Sequence, residues 1–585
     1  MSQPNKQVHF SFREQLTILK LLFSFAKPYW RLFLLAFMGT IIDSAVIALR
    51  PVVVQQYIDR QLTSGQFQFQ ATPITAALYL GLTFVDVIVF YYRTYAFSLA
   101  SEKSVKTMRD RLYTQTTRFG LRFFDQVPNG TVVSRVTNDT ETIKEFWRVF
   151  QIAVENVTMV GAIAVAMFAL YRPLAWAFMG FVPILILLVY VYQRYSTVVY
   201  GNMRQALSRL NVKLSEGISG MAIIQQFHQQ HRMQQEFDEV NQAYVKWRKR
   251  MFAMNALLLM PAVNLLETIA LVIVLGLFGV RVLDGQVFDV GILYAFVSYS
   301  RSFFSPIGDM MDSLSVYQDG LVSGSRVGEL LKQTASLAPT SHPDAEGRIT
   351  QGKVEIKNLN FSYDGKEDVL HNINVVANPG ETIAFVGQTG SGKSSIINVL
   401  MRFYEYHSGA ITIDDQDLRD IEMSNLRQQI GLVLQDSFMF YGDVMSNIRL
   451  HGSYQPEEVA EAAHFVHANQ FIEDLDGKYE AEVIEGGKAF STGEKQLLSF
   501  ARTILREPKI LILDEATANI DTETEQLIQS GLKNMRRGRT TIIIAHRLST
   551  IKDADRIYVL RQGHIIESGT HDELIDQKGY YYDMY

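Results

Sequence analysis

Six apolar stretches dominate the first 320 residues, near 30–54, 74–99, 148–171, 174–198, 253–280 and 287–315. Most contain a run close to the ~20 residues that a helix needs to cross a bilayer. Runs such as "AIAVAMFALY" and "ETIALVIVLGLFGV" are apolar on nearly every face. In lipid, backbone N–H and C=O groups have no water to bond, so such runs are expected to be helices. The sequence therefore predicts an α-helical transmembrane domain with six spans. Residues 13–27 mix charged and apolar residues at helical spacing, which fits a helix on the membrane surface or a lead-in to the first span. The first fifteen residues lack the short apolar core and small-residue cleavage site of a secretory signal peptide.

The connections near 56–73, 172–173 and 281–286 are short and carry few cations. Segments 100–147 and 199–252 are long and basic, with Lys103, Arg109, Arg118 and Arg122 in the first and Arg209, Lys213, Lys246 and Arg250 in the second. Positive charge stays inside, so both long loops and both chain ends are expected in the cytoplasm, with the protein multi-pass in an inner or plasma membrane. The loops also read as helical, so the spans should continue beyond the bilayer. Asp43, Arg50, Asp86, Arg93, Glu155, Glu267 and Arg301 fall inside the apolar stretches. Charges there are costly in lipid and should face the bundle interior or a cavity, either paired with one another or touching a polar substrate. Pairing is the simpler expectation. Tyr294, Phe296, Tyr299, Phe303 and Phe304 crowd the last span and read first as packing.

Beyond residue 331 the composition changes. Residues 332–352 are polar with Pro, Ser and Gly, as in a linker. From 353 to 585, strand patterns give way to alternating strands and helices, the mark of a soluble α/β domain. The expected division is a membrane domain over 1–331, a linker over 332–352 and an α/β domain over 353–585. The chain has no cysteine, which excludes disulfides and thiolate metal sites. Its net charge of −5 argues against nucleic acid as a partner.

The densest chemistry lies in Gly387-Gln388-Thr389-Gly390-Ser391-Gly392-Lys393-Ser394, a G-x-x-x-x-G-K-S between an apolar strand (382–386) and a helical run. Glycines let the backbone curl its N–H groups toward phosphate oxygens, and the following helix offers its positive N-terminus. Lys393 can reach the β- and γ-phosphates of a nucleotide, and Ser394 can ligate Mg²⁺. A second apolar strand, 509–513, ends in Asp514 and Glu515. Asp514 is placed to hold Mg²⁺ or its water shell. Glu515 is placed to polarise an attacking water. A third strand, "TTIIIAH", ends at His546, where an imidazole could contact the γ-phosphate or that water.

The ordered set of glycine loop, strand-Asp-Glu and strand-His resembles an ABC exporter half-transporter, and the resemblance covers nearly the whole chain. It implies an ATPase coupled to transport, with ATP and Mg²⁺ as cofactors. On its pattern, Gln435 in "LVLQD" matches the Q-loop glutamine, Tyr363 in "FSYDG" the aromatic that stacks on adenine, and Asp521 in "ANID" the D-loop aspartate. The nucleotide site it implies runs through Gly387 to Ser394 with Ser395 beside it. Ser394, Gln435 and Asp514 would serve the metal, and Glu515, His546 and Gln435 the chemistry. Phe490-Ser491-Thr492-Gly493-Glu494 stands where the family has L-S-G-G-Q, with Phe, Thr and Glu as departures. Ser491, Gly493 and Glu494 would there face the ATP held by a second half-transporter. A carboxylate at 494 is expected to add negative charge near that triphosphate and weaken closure. The segments "RFFDQVPNGTVVSRVTND" and "EGISGMAIIQQF" resemble loops that dock on nucleotide-binding domains.

An intact Glu515 beside an irregular signature resembles one half of a heterodimeric bacterial multidrug exporter, with a homodimer as the alternative. The implied partners are a second half-transporter, membrane lipid and a small amphipathic substrate. A peptide exporter, a homodimeric lipid flippase and an ATP-gated regulator are the competing readings.

Overall fold

The computed structural model describes residues 10–584, apart from 64–67, 284–288, 334–337, 341, 343–344, 436, 451, 515–521 and 545–550. It divides into two compact units. One comprises residues 1–117 and 128–333; the other gathers 118–127 with 334–585.

The first unit is helical: α1 (Phe12–Ala26), α2 (Trp30–Tyr57) and α3 (Ala71–Thr116) precede the 118–127 segment, whose helix is α4 (Leu121–Gln126). Then follow α5 (Asn129–Ser134), α6 (Thr140–Leu170), α7 (Arg172–Met179), α8 (Phe181–Ser219), α9 (Met221–Gln226), α10 (Gln230–Leu258), α11 (Met260–Leu283) and α12 (Val290–Lys332). Among the described residues, five continuous helical stretches are long and apolar enough to cross a membrane: Phe12–Leu62, Ala71–Thr116, Asn129–Leu170, Arg172–Ser219 and Gln230–Val280. The sixth expected span lies on α12, a 43-residue helix outside that set, which carries Arg301, Asp309 and Asp312 along its apolar stretch. The helix α3 has 46 residues. At 1.5 Å per residue it is about 70 Å long, roughly twice the hydrocarbon thickness, so the span does continue well beyond the bilayer.

Three glycines decide how closely the helices approach α12. A Cβ on Gly320 would meet Phe146 of α6 at 2.5 Å, one on Gly324 would meet Ile18 of α1 at 2.8 Å, and one on Gly328 would meet Leu21 at 2.9 Å. Their four-residue spacing puts them on one face, the small-residue contact that helices in lipid use in place of a hydrophobic driving force. Leu22 and Phe25 of α1, Phe146 and Trp147 of α6, and Leu330 are buried. At the other end of α12, Phe296, Tyr299, Phe303 and Phe304 are buried with Phe178 and Phe181. Four of the five aromatics in the last apolar stretch are thus core. Tyr294 is 39 % exposed.

Five of the seven intramembrane charges pair, while Glu267 and Arg301 are in no ion pair among the described residues. Arg50 meets Asp86. Arg93 is buried and reaches Asp43 at 3.1 Å and both carboxylate oxygens of Glu155 at 2.7 and 2.8 Å. These contacts join α2, α3 and α6. A charge left alone in this setting would be expensive, which is why the five residues share a solution. Glu155 also lines a 260 Å³ cavity with Ile152, Asn156, Asp309 and Ser313, between α6 and α12.

The second unit is built on a six-stranded sheet in the order β12-β11-β3-β10-β9-β6, from β3 (Thr382–Val386), β6 (Ile430–Val433), β9 (Ile510–Asp514), β10 (Thr540–Ile544), β11 (Arg556–Arg561) and β12 (His564–Gly569). Its inner strands run parallel and β12 is the antiparallel edge. The residues of β3 and β10 are buried throughout, as a sheet covered on both faces requires. A four-stranded antiparallel sheet in the order β2-β1-β4-β5 lies alongside, formed by β1 (Val354–Phe361), β2 (Leu370–Ala377), β4 (Ser408–Ile413) and β5 (Gln416–Asp417).

The end of the linker is fastened to this unit by Asp414. Its carboxylate accepts from the backbone N–H groups of Thr350, Gln351, Gly352 and Lys353 at 2.7–2.9 Å. Partial burial pushes its pKa up, but these four donors hold it below the ordinary carboxylate value.

Two predictions follow from this packing. Gly324→Val should lower the folded yield and destabilise the helical unit by about 1–3 kcal/mol through overpacking. Gly161→Ala, at a site with open space around it, should not; thermal unfolding in detergent compares the two. For Asp414, a depressed folded pKa means the contribution is fully present above the unfolded value near 3.9 and fades as pH falls below it. Asp414→Ala should therefore speed amide exchange at residues 350–353 by about tenfold or more at neutral pH, as expected for lost hydrogen bonds of at least about 1.4 kcal/mol. The mutant's effect should shrink below about pH 4.

Candidate functional site

Parallel strands in an open α/β sheet direct their carboxyl ends to one edge, where ligands bind. The glycine loop leaves the end of β3 and enters α13 (Lys393–Leu400). Gly387 (φ 152°) sits where a Cβ would strike the Leu560 carbonyl at 2.3 Å, and Gly392 (φ 106°) where it would strike Leu370 at 2.8 Å. The first glycine permits contact with β11, and the second lets the chain turn into the helix. The turn after β11 braces the loop, since Gly563 N–H donates to the Ser391 carbonyl at 3.0 Å.

Lys393 is 5 % exposed, and its ammonium donates to the carbonyls of Gly387 and Gln388 at 2.7 and 3.0 Å. Burial pulls its pKa down, and Asp514 opposes that shift. The loop thus encloses a cation held by its own backbone. The Ser391 hydroxyl is buried with no hydrogen-bond partner among the described residues, whereas Ser394 is exposed. An orphan hydroxyl, a buried ammonium and inward-curled backbone suit a triphosphate.

Asp514 ends β9, in register with Ile544 of β10, which pairs with Phe385 of β3. Two strand spacings separate Asp514 from the glycine-loop strand, about 10 Å. Gln435 is exposed two residues beyond β6, the strand next to β9. Hydroxyl, carboxylate and amide oxygens are hard donors of the kind Mg²⁺ prefers; Ser394 and Gln435 are exposed and Asp514 is half-buried. Gln388, Thr389 and Gly390 are exposed at the loop tip. Glu515, Asp521 and His546 lie outside the described residues, as do Asn519 and Ile520.

Tyr363 follows β1 and is half-buried. Its hydroxyl shares a hydrogen bond with Ser395 at 3.0 Å and accepts one from Asn398 Nδ2 at 3.1 Å. Ser395 is buried, so here it serves the tyrosine.

Two of the three irregular signature residues have local structural roles. Phe490 is 8 % exposed and belongs to the main core of the unit. Ser491 caps α18 (Thr492–Ile504): its Oγ accepts from Glu494 N–H at 3.2 Å, while Glu494 Oε2 accepts from Ser491 N–H at 2.7 Å. This is a capping box, satisfying two donors of the helix start reciprocally. The Glu494 carboxylate is therefore turned back on its own helix rather than held out as a free charge. Gly493 is buried and Thr492 exposed. Arg502, also on α18, belongs to none of the motifs read from the sequence. It donates to the carbonyls of Phe438 and Asn447 at 3.1 and 2.8 Å, tying the signature helix to the segment after Gln435.

A membrane-spanning helical unit joined to an α/β unit with a glycine loop at its strand ends defines a transporter powered by nucleotide. Residues 33–307 match the ABC transporter transmembrane region family, and residues 370–518 match the ABC transporter family. A putative ABC transporter ATP-binding protein, exp8, from Streptococcus pneumoniae is 42 % identical over 98 % of this chain and 97 % of its own. A probable multidrug resistance ABC transporter ATP-binding/permease protein, YheH, from Bacillus subtilis is 38 % identical over 90 % of this chain and 80 % of its own. The structure of a bacterial Atm1-family ABC exporter with ATP bound superposes with a TM-score of 0.75 at 25 % identity, covering 95 % of this chain and 97 % of that one. The chain belongs to the ABC transporter family, as an exporter with its membrane and ATP-binding parts fused. It is a membrane protein and an ATPase coupled to transport.

The capping box makes a measurable claim. Glu494→Ala should destabilise the ATP-binding unit by about 1 kcal/mol, the usual worth of a helix cap. Glu494→Gln, which keeps an acceptor, should fall within about 0.5 kcal/mol of the parent. Differential scanning calorimetry of the full chain distinguishes them.

Proposed function

We propose that this chain is the catalytic-glutamate half of a heterodimeric exporter that moves amphipathic, multidrug or lipid-like compounds out across the cytoplasmic membrane. The chain has a single glycine loop and a single signature, and ATP sites in exporters it resembles need one of each from two chains. The observation that carries the reading is a pair of uncovered apolar surfaces. Phe438, Phe440 and Tyr441, just past Gln435, are 64, 53 and 80 % exposed. In the helical unit, Met221, Ile223 and Phe227 around α9 are 44, 65 and 66 % exposed. Apolar residues grouped at exposed sites of this kind mark interaction surfaces, and a second half-transporter has the chemistry to cover them. The name of the YheH relative supports the multidrug class.

In this reading, both long loops and both chain ends face the cytoplasm. The glycine loop from Gly387 to Ser394 holds the triphosphate, with Lys393 neutralising its charge, and Tyr363 stacks on the adenine. Mg²⁺, held through Ser394, Gln435 and Asp514, would supply charge that stabilises the developing negative oxygens. Glu515 accepts the proton of the attacking water, and His546 contacts the γ-phosphate side. Asp521 lines the seam toward the partner. Ser491, Gly493 and Glu494 contribute this chain's half of the other ATP site. There the cap ties up the Ser491 N–H, which leaves one donor fewer for the partner's nucleotide. Closure on ATP turns the spans outward and hydrolysis resets them.

Glu515→Gln should lower ATP turnover of the assembled pair by roughly 10²–10⁴-fold, the usual worth of a general base, while ATP binding survives. Unchanged turnover would remove Glu515 from the role. Purification of the chain from its native membrane should bring down a different half-transporter. A stable dimer of this chain alone with two equally active sites would overturn the heterodimer.

A further inference from the structure

The phosphate-loop helix α13 does two things at once. Its first turn carries Lys393 and Ser394 toward the triphosphate, and one of its faces presents Ser395 and Asn398, three residues apart, to the Tyr363 hydroxyl. The Tyr363 ring is then boxed by two edge-on aromatics: Phe361 at 4.7 Å and 76°, and Tyr404 at 4.8 Å and 89°. Tyr404 is 6 % exposed, and its hydroxyl donates to the Asp125 carboxylate. Asp125 sits on α4, which is docked within the same compact unit: Phe123 beside it is buried, and Ala338 N–H donates to the Arg118 carbonyl at 3.0 Å. A continuous array therefore runs from α4 through Tyr404 to Tyr363 and on to the helix that starts at Lys393.

We propose that Ser395, Asn398 and Tyr404 are positioning residues for the base of ATP, with Asp125 as their anchor on the 118–127 segment. The inference rests on the reading of Tyr363 as the base platform. A tyrosine free to swing about its side-chain torsions must be immobilised each time a base stacks on it. One held at its hydroxyl and boxed at its ring has already lost that freedom, so less of the stacking energy is spent on ordering. Because the hydroxyl is held by the helix that receives the phosphates, the platform keeps a fixed position relative to that helix. These residues act on the base and leave the triphosphate contacts alone.

That separation gives the test. The full-length protein, in nanodiscs with its partner, is titrated by calorimetry with ATP and with inorganic tripolyphosphate, which has no base. Tyr363→Ala should cut the ATP-to-tripolyphosphate affinity ratio by about tenfold, within the range of base–aromatic stacking. Tyr363→Phe and Asn398→Ala should each cut it about threefold, the effect of one hydrogen bond. Tyr404→Phe and Asp125→Asn should lower it about twofold to threefold, with tripolyphosphate affinity unchanged in every case. Ser395→Ala, which removes the hydroxyl, should cut the ratio by the same amount as Asn398→Ala, about threefold. If Tyr363→Ala lowers the ratio but the other variants leave it at the parent value, the positioning role is overturned and the platform stands. If Tyr363→Ala itself has no effect, the platform reading fails first. An equal loss for both ligands would mean that the array only holds the fold together, and would overturn the proposal.

Discussion

The buried ammonium of Lys393 is the contact on which the ATP-binding unit is organised. A cation at 5 % exposure is unfavourable unless its protons are satisfied, and the loop satisfies two of the three with the carbonyls of Gly387 and Gln388. That arrangement needs the backbone to double back, which Gly387 and Gly392 allow. It also needs a rigid seat, which the buried parallel strands β3, β10 and β9 provide. The same strands bring Asp514 to the loop's edge of the sheet, where its charge acts on Lys393.

The helical unit answers a different constraint with related means. In lipid, little drives one helix against another except shape and polar pairing. Shape is supplied by Gly320, Gly324 and Gly328 on α12, and pairing by Arg93 with Asp43 and Glu155. The unit also contains a proline in α2, Pro51. Proline removes the helical donor to the Ile47 carbonyl, and the neighbouring Ala48 carbonyl accepts a hydrogen bond from Tyr299 of α12, which ties the two helices beside the proline.

Much of this was legible in the sequence because the chemistry sits in contiguous residues. The glycine loop, the strand ending at Asp514 and the apolar runs each carry their geometry locally, and the strands and helices formed where those patterns lie. Pairing of the intramembrane charges followed from their cost in lipid, and Arg50, Asp86, Arg93, Asp43 and Glu155 satisfy it. What could not be read depends on segments far apart in the chain. Nothing near Asp414 signals that it fastens residues 350–353, and nothing in "RFFDQ" points to Tyr404. Glu494 shows a subtler limit. Its departure from the family pattern reads as negative charge near a partner's triphosphate, but S-x-x-E at a helix start is also the pattern of a capping box, and that local bond forms.

On the proposed reading, ATP energy enters the exporter at the loop around Lys393. Equilibrium titration of ATP against the purified full-length chain, before and after Lys393→Ala, tests it most directly. A loss of affinity of about tenfold or more is expected, the scale of a charge-assisted contact to phosphate of about 1.5–3 kcal/mol, in a variant that remains folded. Undiminished ATP affinity in that variant would contradict it.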